Sequence, residues 1–60
     1  MATFYIIKSI NDDIIAEGRG IHFTQSLNYA KHFTSLWSAQ NFMKRNGVGN
    51  GWSIKKIVRL

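Results

Sequence analysis

Residues Thr3-Phe4-Tyr5-Ile6-Ile7-Lys8 form a β-branched and aromatic run whose two alternating faces are both apolar. A strand lying half in water shows apolar side chains on one face only, so this segment reads as a central strand covered on two sides. That demand is severe for a chain of 60 residues, because a domain of that size buries only about 60% of the surface its unfolded form exposes. The length admits one small domain over residues 1–60, and with no cysteine and no proline its own core must hold it.

The remaining elements follow from local signals. Asn11-Asp12 supplies a turn in which short polar side chains tolerate left-handed backbone, Asp13 to Glu17 reads as a second strand, and Gly18-Arg19-Gly20 ends it. Ile21-His22-Phe23-Thr24 fits either a short strand or an extended loop, and Ser26 to Tyr29 one helical turn ahead of Ala30-Lys31-His32-Phe33. Ser35 stands as an N-cap before Leu36, Ala39, Phe42 and Met43, apolar residues spaced at three and four, with Lys44 and Arg45 in the last turn and Gly47 beyond. This predicts an amphipathic helix of about ten residues. Gly47-Val48-Gly49-Asn50-Gly51 reads as a reversal, and Trp52 to Val58 as a returning strand. In that strand Trp52, Ile54 and Val58 share a face with Lys56 while Ile57 falls on the other, a conflict that a bulge near Lys55-Lys56 or an edge position would resolve. The expected fold is α+β: a small antiparallel sheet of three to four strands with one helix packed on a face, in the order β-β-(β)-α-β. The expected core joins Leu36, Ala39, Phe42 and Met43 to Phe33, Ile54 and alternate residues of the first two strands, so that Phe42→Ala should unfold it.

Charge is unevenly distributed. Eight Lys/Arg face three Asp/Glu, a net charge of +5, and the acids are Asp12, Asp13 and Glu17. From residue 18 onward the chain carries Arg19, Lys31, Lys44, Arg45, Lys55, Lys56 and Arg59 and no acid. Such a balance attracts polyanions, whether nucleic acid, an anionic membrane surface or an acidic protein patch, and does not choose among them. The longest apolar run, Phe4 to Ile7, is far short of a membrane span, which together with the missing basic leader predicts a cytoplasmic chain with no membrane partner.

Catalytic constellations are poor. Asp12 and Asp13 are adjacent in a turn and lack the contrasting environments that acid/base chemistry needs, while His22 and His32 belong to no nucleophile or metal motif. No enzyme, cofactor or metal is expected. The richer pattern is aromatic residues interleaved with cations: Tyr29, His32 and Trp52 are candidate stacking platforms, and Trp37, Lys44, Arg45, Lys55, Lys56 and Arg59 candidate partner-binding residues. Trp37 follows Leu36 in the first helical turn, so it lies toward the flank, where it either packs on the domain or anchors a partner. The edge of so small a sheet can also pair with another chain, giving a homodimer or an added strand; otherwise the chain is a monomer.

Phe4-Tyr5-Ile6-Ile7-Lys8, Leu27, Ala30-Lys31-His32-Phe33, Ser35 with Ala39 and Phe42, and Trp52-Ser53-Ile54-Lys55-Lys56-Ile57 together resemble the short uncharacterised accessory proteins of bacteriophages and prophages. The resemblance spans most of the chain, rests on hydrophobic pattern, and carries over no catalytic residue. Gln40 and Asn41 stand where such proteins commonly have Glu. It implies a product that acts by binding a host protein or nucleoprotein complex, as a modulator or an antagonist of a defence system, in the bacterial cytoplasm. The alternative is a small DNA- or RNA-binding protein that uses Lys/Arg phosphate contacts and aromatic stacking.

Overall fold

The computed structural model describes residues 2–59. Strand β1 (Ala2–Ser9) is central in a four-stranded antiparallel sheet with β2 (Ile14–Ile15), β3 (Phe23–Thr24) and β4 (Trp52–Arg59), in the spatial order β3-β2-β1-β4. One helix, α1 (Leu36–Arg45), lies on one face. The fold is the expected α+β arrangement.

Both faces of β1 are covered. On one, Phe4 and Ile6 join Ile14 and Ala30, with Leu27 and Ile57 packed against them. On the other, Ile7 meets Ile15, Phe33 and Ala39, enclosed by Tyr5, Phe42, Met43, Val48, Trp52 and Ile54. The core is therefore two thin layers sharing one strand, and the helix supplies only the second.

β4 pairs with β1 over its whole length, from Ala2↔Arg59 to Ser9↔Trp52, without interruption. Of the two resolutions expected for the Lys55-Lys56 conflict, the bulge is absent and the edge position holds. At an edge, Lys56 can share a face with Ile54 and still reach water.

The second strand is shorter than the expected Asp13 to Glu17. β2 shares one pair with β1, Lys8↔Ile14, after which the two diverge and residues 29–33 wedge between them. Tyr5 and Phe33 exchange backbone hydrogen bonds of 2.8 and 2.9 Å, while on the other side Lys31 N–H donates to the Ile15 carbonyl at 2.9 Å and Glu17 N–H to the Tyr29 carbonyl at 3.0 Å. The polar backbone opened by the divergence is thus satisfied by this insert, which a buried unpaired amide would require. Side chains alternate along it: Ala30 joins the Phe4 layer and Phe33 the Ile7 layer. The ambiguous Ile21 to Thr24 segment contributes β3, and the expected helical turn is a 3-10 turn at Leu27–Tyr29.

Local punctuation follows the sequence. Asp12 adopts a left-handed φ of 68°, and Ser9 Oγ accepts from the N–H groups of Asn11 and Asp13 at 3.1 Å each, closing the β1–β2 turn. Ser35 Oγ accepts from Ser38 N–H at 3.1 Å, capping α1. Past the helix, Gly47 at a φ of 67° reverses the chain, a conformation that costs glycine nothing.

Leu36 departs from expectation. The helix meets the sheet through Ala39, Phe42 and Met43, so its first turn overhangs the layer and leaves Leu36 46% exposed. Phe42 is half-buried, so it is not the residue on which the core turns. Ile7 and Ile15, both 0% exposed, hold that place. Emptying either to alanine costs about 2–5 kcal/mol, as much as a single core of this size supplies. Ile7→Ala and Ile15→Ala should therefore lose the cooperative urea transition seen by circular dichroism, whereas Leu36→Ala should shift its midpoint little.

Candidate functional site

Side chains on an α-helix advance by about 100° per residue. Counted from Ala39, which points into the sheet, Trp37, Asn41 and Lys44 fall on the opposite side and Arg45 beside them. Trp37 is 72% exposed, as open to water as any Phe, Tyr or Trp among the described residues. It does not pack on the flank of the domain. A shallow hollow of about 340 Å³ lies between Trp37, Gln40, Asn41 and Lys44. A second of about 360 Å³ lies between Trp37, Asn41, Phe42 and Arg45, with Phe33 at its floor. The Trp37 ring is thus a ridge between two depressions, each with a cation and an amide at its margin.

No acid lies on α1. Lys44 and Arg45 occupy its last turn, where the helix dipole favours cations, so their charge adds to stability as well as to the surface potential. Elsewhere, two of the three acids are engaged: Asp12 Oδ1 lies 3.3 Å from Lys8 Nζ and Glu17 Oε1 3.4 Å from Lys31 Nζ. Lys31 also holds its ammonium 5.7 Å from the Phe42 ring and 5.9 Å from the Phe33 ring. It belongs to the packing beneath the helix more than to the outer surface.

The C-terminal cations separate by strand alternation. Lys55 and Arg59 project to the sheet face away from the helix, opposite Ile6 and Ala2, whereas Lys56 projects to the helix side opposite Tyr5. Arg59 covers Phe4 at 5.2 Å from the ring centroid and its Nη2 donates to Asn28 Oδ1 at 3.5 Å. His32 stacks on the same ring at 3.9 Å and 23°, its Nε2 donating to the Leu27 carbonyl at 3.0 Å. These two side chains roof the helix-free layer, which has no second helix to cover it.

The three stacking candidates do not make one platform. His32 lies against Phe4 on the face without the helix, Trp52 against Phe23 on the helix side at 5.3 Å and 25°, and Tyr29 stands exposed in the 3-10 turn. The structure does bring Trp37, Lys44 and Arg45 together, and adds two residues that residue typing did not rank as binders, Gln40 and Asn41. Their signal was their helical spacing from Trp37, at three and four. The Phe23–Trp52 stack, bordering an open depression of about 580 Å³ with Ile21 and Val48, was also missed, since its two rings come from segments far apart in sequence.

Among the described residues no three His, Asp or Glu side chains gather as a metal site would need, and no helix is long and apolar enough to cross a membrane. Comparison with protein-family models, with curated proteins and with solved structures finds no significant match to the chain.

Collisional quenching can read the potential at Trp37 directly. Measured against free N-acetyl-tryptophanamide, iodide should quench Trp37 more strongly and caesium more weakly than they quench the free indole, the departure should shrink in salt, and Trp37→Phe should leave the weaker response of half-buried Trp52. An iodide-to-caesium ratio equal to that of the free indole would remove the cationic field from this surface.

Proposed function

We propose that the chain is a non-enzymatic binding module of bacteriophage-accessory type, which docks on an acidic surface of a host protein or nucleoprotein complex and modulates it in the host cytoplasm. The observation that carries this reading is Trp37, held in water on the outer face of α1 between two hollows, with Lys44 and Arg45 beside it. A large aromatic left exposed is costly unless a partner covers it, and anchor residues of this type commonly dominate interfaces while flanking charges steer the encounter. Nothing in the reading requires a cofactor or a reacting group.

A second reading rests on Gln40 and Asn41. Amide side chains next to Lys44 and Arg45, on a helix with no carboxylate, are also the chemistry that meets bases and phosphates. The two readings separate by salt and by nuclease. Phosphate neutralisation makes log affinity fall linearly and steeply with log salt, whereas an anchored protein interface responds modestly.

Tagged chain should capture from host lysate a discrete protein that survives nuclease, and binding of the purified partner should weaken by roughly 30-fold or more in Trp37→Ala, the size of an anchor residue, with the circular dichroism of the variant unchanged. Loss of every captured species on nuclease treatment would transfer the surface to nucleic acid.

A further inference from the structure

The edge of β4 is a second surface, distinct from the outer face of α1. Tyr5 directs both its N–H and its C=O to Phe33, so in β1 the alternate residues Ala2, Phe4, Ile6 and Lys8 are those that turn toward β4. Their partners Arg59, Ile57, Lys55 and Ser53 turn back toward β1. The backbone groups of Ile54, Lys56 and Val58 consequently face outward, and no described residue lies beyond β4 to meet them. Trp52, next in that series, donates its N–H to the Gly49 carbonyl at 3.0 Å, which closes the edge at one end.

An open edge of this length is a template for another strand. Its side chains narrow the choice. Lys55, Lys56, Val58 and Arg59 are exposed along it, and neither β4 nor the β1 residues it pairs with include an acid. A second copy added antiparallel about the middle of β4 sets Lys55 against Lys55 or Lys56 against Lys56, and like charges directly opposite are destabilising. Nucleic acid answers the cations but does not match the backbone: outward carbonyls alternate with outward N–H groups at strand spacing, phosphates accept only, and the donors of bases and ribose do not repeat at that spacing. A peptide backbone supplies both donors and acceptors.

We propose that the free edge of β4 binds an acidic, extended peptide segment by strand addition. Run antiparallel, such a segment places neighbouring acidic residues opposite Lys56 and Lys55, a third acidic residue opposite Arg59, and apolar residues opposite Val58 and Ile54. The backbone of Ile54, Lys56 and Val58 supplies the hydrogen bonds, and the cations supply the selection.

The probe is the capped peptide acetyl-Glu-Val-Thr-Glu-Glu-Val-amide, titrated into isotope-labelled chain at low salt. The amides of Ile54, Lys56 and Val58 should shift and gain protection from hydrogen exchange, while those of Lys55 and Ile57, already bonded to β1, should change little in exchange. Replacing the three glutamates by lysine should abolish binding. The double variant Lys55→Glu, Lys56→Glu should reverse the preference, weakening the acidic peptide at least tenfold and admitting the lysine one. Val58→Pro removes one outward N–H without touching the β1 ladder and should weaken binding by a similar factor. Trp37→Ala should leave the peptide affinity within twofold, so failure here and failure of the helix-surface reading are told apart. Shifts centred on α1, an absence of saturable binding, equal binding of the lysine peptide, or protection of the same three amides by a single-stranded oligonucleotide would each overturn the proposal.

Discussion

β1 is apolar on both faces, and a strand of that kind in so short a chain has to be covered twice with very little material. One helix covers the Ile7 side. The Phe4 side receives no helix and is closed by Leu27, Ala30 and Ile57, with the His32 ring and the Arg59 guanidinium laid over Phe4. The divergence of β2 from β1 is what makes the second cover feasible. It opens a slot into which residues 29–33 enter as an extra extended segment, sending Ala30 and His32 to one layer and Lys31 and Phe33 to the other. The reciprocal Tyr5–Phe33 hydrogen bonds tie this insert to β1, so losing them would loosen the side chains it supplies to both layers.

That economy shapes the surface. Covering β1 consumes Phe33 and Phe42 directly, and it engages Arg59, His32 and Lys31 as polar roofing. Three of the groups best suited by type to meet a polyanion are therefore partly committed to the fold. Apart from Arg19 and Tyr29, which stand alone, the uncommitted cations and their polar and aromatic neighbours fall largely in two groups: Trp37, Gln40, Asn41, Lys44 and Arg45 on the helix, and Lys55 with Lys56 at the β4 edge.

Legibility followed the range of the interactions. The double-faced β1, the Asp12 turn, the Ser35 cap and the extent of α1 are written in neighbouring residues and could be read from them. The pairing of the first strand with the last, the wedge at 29–33 and the Phe23–Trp52 stack join segments distant in sequence, and no local pattern encodes them. Leu36 was misread because helical spacing places it on the apolar side without saying how far the sheet extends beneath the first turn. At the candidate site, Trp37 and the last-turn cations were legible by type and spacing. The separation of Lys55 and Arg59 from Lys56 follows from strand alternation, yet only the position of α1 says which of the two faces is open.

The pairing of Ala2 with Arg59 sets the two ends of the described chain side by side on adjacent antiparallel strands. Tension applied between them loads the β1–β4 ladder as a zipper, one hydrogen bond at a time, where strands pulled past each other would resist with all their bonds together. Since β1 is the wall shared by both layers, the first bonds to part already admit water to each. A pull between the two ends therefore meets the hydrogen bonds of the ladder in turn, so mechanical resistance along this direction is much smaller than the length of the β1–β4 pairing suggests.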